Sequence, residues 1–167
     1  MRCGRRSRCC LPGWTPFHRA RRAIGCATNL EVPEGASLDL CASARSVTDT
    51  LAPFAHARGV SLSLSVPDTP VMACASPEGV EMALVNLVEN AALHGGTGAV
   101  DITVSAAPFI EVRDHGPSLP PGAQGRLFEP FWRGPGAVPC GAQLGLTIAE
   151  RLQRAQGGAV EMRTAAG

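Results

Sequence analysis

Polar side chains recur at every fourth position along one predicted helix in the middle of the chain. Asn86, Asn90 and His94 are spaced four residues apart, so a helix places them on one face, and Glu89 lies beside them. Amide and carboxylate oxygens are hard ligands that Mg²⁺ accepts together with the phosphate oxygens of a substrate. For this helix taken alone, a solvated polar face is the simpler interpretation.

A carboxylate stands at the predicted end of a later strand. The segment 110–116 is apolar at alternate positions and ends in Asp114-His-Gly116. Glycine lets the backbone turn sharply behind the carboxylate, and a carboxylate oxygen can accept a hydrogen bond from an exocyclic amine such as adenine N6. An ordinary Asp-Gly turn is the structural alternative.

Glycines also flank the expected start of the last predicted helix. Gly141 and Gly145 lie on either side of its expected start at Leu144. Glycines at this position expose the backbone N–H groups of the first turn, and the helix dipole favours an anion there. A phosphate-binding helix N-terminus is therefore predicted.

Four segments in this order resemble the N, G1, F and G2 boxes of the ATP-binding domain of sensor histidine kinases. They are residues 86–90, 112–118, 128–131 and 141–146. The resemblance covers roughly residues 38–167 and extends to the wider family of gyrase and the chaperone ATPases. It implies a catalytic domain that transfers the γ-phosphoryl group of Mg-ATP to a phosphoacceptor His on another domain or chain, with a response regulator as a further partner.

The resemblance also implies roles for individual residues. Asn90 would hold Mg²⁺, and Glu89 would act beside it in catalysis by orienting water or the attacking group. Asp114 would be the main adenine contact, while Phe128 and Phe131 would pack the base of a mobile lid onto the core. The further nucleotide contacts would be Asn86, Asn90, His94, Gly116, Ser118, Arg133, Gly141, Leu144, Gly145 and Leu146.

Three positions depart from the family pattern. Leu93 replaces a basic residue, Ser118 replaces a second glycine, and Gln143 replaces the middle glycine of the last box. A degenerate or regulatory ATPase-like binding module, with weak or no kinase activity, is therefore the alternative function. The chain also shows no phosphoacceptor hairpin, because neither His18 nor His56 has the expected acidic neighbour.

Composition excludes several other classes of protein. The 167 residues suit one domain, and the absence of Lys excludes Walker-type NTPases and eukaryotic-type protein kinases. Residues 1–30 hold seven Arg and no acid, which would suit nucleic acid or an anionic membrane. No nucleic-acid-binding fold is recognisable, so no nucleic-acid partner is expected. The seven Cys lack zinc-site spacing, and a reducing, cytoplasmic compartment is expected from them. No apolar stretch is long enough to span a membrane, and membrane anchoring of the full-length protein stays open.

The elements that must position these residues follow from periodicity. An amphipathic helix over 37–57 precedes an alternating strand over 60–66, and an apolar run over 71–75 is expected to pair beside that strand. Ser76-Pro77-Glu78 begins the helix of the polar face, which should run to about His94 and be ended by Gly95-Gly96. Further strands are predicted over 99–106, 109–113 and 159–164, with a long loop to 141 and a helix over 144–156.

This order predicts an α+β fold, a two-layer α/β sandwich with a mixed sheet and helices on one face. Residues 1–35 are expected to be an irregular Arg- and Cys-rich lead-in, and residues 36–167 the ATPase-like domain. In the resembled family one more strand follows and pairs with the last one seen here. The domain is therefore expected to be truncated at its last strand, with an unpaired sheet edge.

Overall fold

A five-stranded mixed sheet forms one layer of the molecule. The computed structural model describes residues 37–96, 98–117, 122–129, 132 and 144–163, and the backbone alone of 21–25. Its strands, in spatial order, are β3 (Val60–Ser65), β5 (Gly98–Val104), β6 (Phe109–Asp114), β1 (Arg21–Gly25) and β7 (Ala159–Arg163). β3 and β5 are parallel, and every other neighbouring pair is antiparallel.

Three helices form the second layer: α1 (Leu40–His56), α2 (Pro77–His94) and α3 (Gly145–Ala155). Only alternate strand residues are buried under them, such as Val100, Ile102 and Val104 of β5, so one face of the sheet is covered. The predicted two-layer sandwich is confirmed. None of the helices within the described ranges combines the length and the apolar character needed to cross a membrane.

The start of α2 was predicted from local signals, and the structure confirms it. Ser76 Oγ accepts a hydrogen bond from the Gly79 N–H at 3.2 Å, and Pro77 occupies the first turn. The same hydroxyl donates to Glu78 at 2.7 Å, which lowers the pKa of that carboxyl. The apolar face of α2 is fully buried, at Val80, Leu84, Leu87, Val88 and Ala91.

The predicted partner of the 71–75 run is wrong. Its two strand residues, β4 (Met72–Ala73), pair antiparallel with β2 (Leu38–Asp39), and β3 pairs with β5 instead. The reason is the adjacent helix start, because the Leu40 N–H donates to the Val71 carbonyl at 2.9 Å and Asp39 caps α1. Those contacts hold the run beside the beginning of α1 and away from the large sheet.

The prediction that residues 1–35 are irregular is wrong for Arg21–Gly25. This segment forms β1 between β6 and β7, antiparallel to both. β7 pairs with β1 along its whole length, and among the described strands it lies at the edge of the sheet. Five residues with one β-branched side chain carry little strand signal of their own. The strand is specified by the two long-range backbone ladders on its sides.

Candidate functional site

The end of α2 lies directly against the tip of β6. A Cβ atom placed on Gly95, which follows α2, would lie 2.6 Å from Asp114 Cβ. A Cβ atom on Gly116 would lie 2.7 Å from Gly95 Cα and within 3.0 Å of the Gly95 carbonyl atoms. Two glycines thus allow a backbone approach that no other residue type permits, and it brings Asp114 to the end of the polar face of α2.

Asp114 is the last residue of β6 and is partly exposed. Its Oδ1 atom accepts a hydrogen bond from the Gly116 N–H at 3.1 Å, so the turn after the strand fixes the carboxylate. The Asp-x-Gly turn predicted from the sequence is confirmed. A carboxylate held in this way can accept a further hydrogen bond from an amine.

The middle of α2 lies against the beginning of α3. A Cβ atom on Gly145 would lie 3.0 Å from Asn86 Oδ1, while Asn86 Nδ2 donates to the Met82 carbonyl at 2.8 Å. Among the described residues, no side chain caps α3, whose N-cap position is Leu144, whereas Asp39 and Ser76 cap α1 and α2. Within this part of the chain, the first N–H groups of α3 have no side-chain acceptor, and an anion could fill that role.

The remaining predicted residues of α2 lie between these two ends. Asn90 and Glu89 are half-buried and His94 is exposed, as is Leu93, where the family has a basic residue. Asn86 and His94 are eight residues apart, which corresponds to about 12 Å along the helix axis. A row of amide and imidazole groups thus connects the start of α3 with the tip of β6.

The segment 122–129, which contains Phe128, is anchored to α3. Thr147, buried in the first turn of α3, donates through Oγ1 to the Phe128 carbonyl at 3.0 Å. Phe128 is partly buried and packs on the core, as predicted. Leu146, the residue before Thr147 in α3, is also buried. These contacts fix the start of α3 relative to the Phe128 segment.

Several predicted residues lie outside the part of the chain that the structure describes. They are Ser118, Phe131, Arg133, Gly141 and Gln143. Their predicted roles as nucleotide contacts, lid residue or departure from the family pattern stay predictions.

Sequence reasoning missed three features of this region. Gly95 was predicted only to end α2, and Thr147 was not singled out. His115 was not expected to bind Asp101, yet its Nε2 atom lies 2.8 Å from Asp101 Oδ2. The close packing of Gly116 against Gly95 has no local sequence signal. Thr147 could have been found, because a hydroxyl in the first turn of a helix is a recognisable signal.

Comparison with known proteins identifies the domain. A sequence model of the histidine kinase-, DNA gyrase B- and HSP90-like ATPase family matches residues 75–167, more than half of the chain. The chain belongs to this family. Its domain is of the ATP-binding catalytic type that sensor histidine kinases carry, as the curated relatives and solved structures agree.

Among curated relatives, the sensor protein QseC of Escherichia coli strain K12 is 42% identical over 81 residues, which are 48% of this chain and 18% of QseC. The alginate biosynthesis sensor protein KinB of Pseudomonas aeruginosa is 32% identical over 145 residues, 84% of this chain and 24% of KinB. The chain therefore spans less than a quarter of the length of these two relatives.

Solved structures show the same fold. The catalytic domain of histidine kinase ThkA superposes with a TM-score of 0.64 at 20% identity, covering 76% of this chain and 91% of that one. Full-length ShkA in complex with AMPPNP gives a TM-score of 0.59 at 28% identity, covering 79% and 32%. The predicted fold class and family are confirmed.

Proposed function

We propose that this domain binds Mg-ATP along the polar face of α2 and donates the γ-phosphoryl group to a His on another domain or chain. In this reaction the acceptor imidazole nitrogen forms a bond to the γ-phosphorus as the bond to the β,γ-bridging oxygen breaks, and ADP leaves. Catalysis would depend on positioning and charge neutralisation, because the nucleophile is supplied from outside the domain.

One observation carries the proposal: the polar face of α2 has a candidate phosphate end and a candidate adenine end. At Asn86 it meets the start of α3, for which the described part of the chain supplies no side-chain cap. Beyond His94 it meets Asp114 through Gly95. A helix N-terminus favours phosphate, and a fixed carboxylate favours an amine. The two ends therefore differ in the same way as the two ends of ATP.

The residues between the two ends fit a hydrated divalent ion. Asn90 offers a side-chain oxygen of the kind that Mg²⁺ accepts alongside phosphate oxygens, and Glu89 is its neighbour on the same helix. When bound, Mg²⁺ would neutralise charge on the transferring phosphoryl group. We assign Asn90 to the metal, Glu89 to orienting the attacking group, and Asn86 and His94 to the nucleotide.

The first residues of α3 complete the proposed site. Leu144, Gly145 and Leu146 supply the backbone of its first turn, and Gly116 supplies the turn behind Asp114. We extend the same role to Ser118, Arg133 and Gly141 from the resemblance alone. ShkA, which is 28% identical, has been solved with the ATP analogue AMPPNP, and this supports a nucleotide site in the same fold.

The partners follow from the reaction. We propose a phosphoacceptor His on a dimerisation domain, in trans or in a segment of the same protein, and a response regulator that takes the phosphoryl group in turn. Curated relatives of this domain are sensor proteins and sensor histidine kinases. ATP supply would place the domain in the cytoplasm.

Calorimetric titration of ATP with and without Mg²⁺ tests the assignment. Asp114→Asn should weaken binding on the order of tenfold in both conditions, because a hydrogen bond to a charged acceptor is worth about 1.5–3 kcal/mol. Asn90→Ala should weaken binding mainly when Mg²⁺ is present. Asp49→Asn, an exposed carboxylate change on α1, is the matched control and should leave both affinities unchanged.

Equal losses for Asn90→Ala in both conditions would contradict its assignment to the metal. A regulatory binding module without kinase activity is the second candidate, favoured by Leu93, which is 38% exposed where the family has a basic residue. Transfer of radiolabelled phosphate from ATP to a helical hairpin bearing a phosphoacceptor His would decide between them. ATP binding without transfer would favour the regulatory module, and no binding at millimolar ATP would refute the proposed site.

A further inference from the structure

A polar pair lies at the tip of β6 on the sheet face opposite to Asp114. His115 Nε2 and Asp101 Oδ2 are 2.8 Å apart, and their side chains are 32% and 38% exposed. Asp101 belongs to β5, where it pairs with Arg113. Since side chains alternate along a strand, Asp101 and Arg113 share the sheet face opposite the helices, while Asp114 faces α2.

This pair extends the connection between β5 and β6 beyond the backbone ladder. The last residues paired in the ladder are Val100 and Asp114, and His115 is the first residue after the strand. Its contact with Asp101 therefore holds the backbone just where Asp114 ends the strand. In the same turn, the Gly116 N–H donates to the Asp114 carboxylate, and Gly95 lies against Asp114. The turn after Asp114 is thus held by His115 through Asp101, and the carboxylate itself by Gly116.

We propose that His115 and Asp101 are positioning residues that hold Asp114 in the orientation that selects a 6-amino purine. This inference rests on the proposed function, because it concerns how the adenine end of that site is built. His115 acts through the backbone and Asp114, and it makes no contact with nucleotide. Its consequence is selectivity between bases: loosening the turn weakens the hydrogen bond to the amine without changing how the triphosphate is held.

Comparing ATP with inosine triphosphate tests this inference, because inosine carries an oxygen in place of the amine. The full chain, His115→Ala, Asp101→Ala and the double variant are titrated with both nucleotides in Mg²⁺. Each single variant should lower the preference for ATP by on the order of fivefold, the usual effect of one hydrogen bond. Affinity for inosine triphosphate should stay within about twofold, because that nucleotide lacks the amine whose hydrogen bond to Asp114 is weakened. His115→Gln, which keeps a donor for Asp101, should restore most of the preference.

The double variant separates a coupled pair from two independent effects. Because the two residues act through their mutual contact, the double variant should lose as much of the preference for ATP as either single variant does. Glu161→Ala is the control: it removes an exposed side-chain contact on β7, between Glu161 and Arg163 at 3.1 Å. It should change neither affinity. Additive losses, or equal losses for the two nucleotides, would show a general structural role and overturn the inference.

The outcomes for the unmodified chain distinguish this inference from the proposed function. If that chain prefers ATP over inosine triphosphate and His115→Ala keeps the same preference, the positioning role is refuted and the nucleotide site stands. If that chain binds neither nucleotide, the proposed function fails and the inference fails with it.

Discussion

The contact between Gly116 and Gly95 gives the sharpest test of how the candidate site is assembled. In Gly116→Ala, the new methyl group would lie 2.7, 2.8 and 2.9 Å from the Cα, C and O atoms of Gly95. Those atoms are backbone, so no flexible side chain can move to relieve the contact. Because Gly116 does not have a positive φ, Ala causes no backbone strain of its own, and the steric contact is the whole perturbation.

The expected size of the effect follows from these distances. To reach ordinary contact at 3.4 Å, the tip of β6 and the end of α2 must separate by about 0.7 Å. Overpacking of this kind costs about 1–3 kcal/mol of unfolding free energy, which lowers the melting temperature by roughly 3–10 °C in a domain of this size. The shift also moves Asp114, so ATP affinity should fall by on the order of tenfold, or ~1.4 kcal/mol.

Thermal unfolding and calorimetric titration of the same samples measure both effects. Gly125→Ala is the matched control, because nothing lies within 4 Å of a Cβ atom placed there. Gly125→Ala should leave the unfolding free energy unchanged or raise it by about 0.4–1 kcal/mol, because Ala lowers the conformational entropy of the unfolded chain. A Gly116→Ala variant that melts and binds ATP like the control would refute the close approach of α2 and β6.

Three further variants test the cap of α2, the Phe128 contact and the position of β1. Ser76→Ala removes the N-cap of α2 and should lower the unfolding free energy in urea by about 1 kcal/mol; an unchanged midpoint would contradict the cap. Thr147→Val removes the buried hydrogen bond to Phe128, should cost about 1–2 kcal/mol, and should speed proteolysis near Phe128, whereas unchanged cleavage would show that this bond is not an anchor. Ala23→Cys with Glu161→Cys, in a background without the native cysteines, should form an intrachain disulfide because these residues are paired between β1 and β7. A cross-linking yield no higher than that of a pair placed out of register would refute the position of β1.

Local signals explain which elements could be predicted from the sequence. α2 was predicted with its correct limits because its cap, its first-turn Pro and its final glycines act within a few residues. β3 was predicted because its alternation reports one buried face. The partner of β4 and the existence of β1 depend instead on contacts between distant segments. Strands of two and five residues carry almost no local sequence signal for such contacts.

The residues of the candidate site could likewise be predicted only where their sequence signal is local. Asp114 and the start of α3 could be found from sequence, because a strand end before Gly and a helix start after Gly have local patterns. Gly95 could not be recognised as a packing residue, since its role depends on Gly116 in another element. His115 was also missed, because its partner Asp101 is fourteen residues away and is brought near only by the register of β5 and β6.

The most direct test of the nucleotide site is a titration of the full chain with AMPPNP and Mg²⁺, followed by backbone amide chemical shifts in solution. Saturable shifts should cluster at both ends of α2: near Asn86 with residues 144–146, and near Gly95 with Asp114 and Gly116. Shifts confined to one end, or shifts centred on α1, would contradict a single site along the polar face of α2.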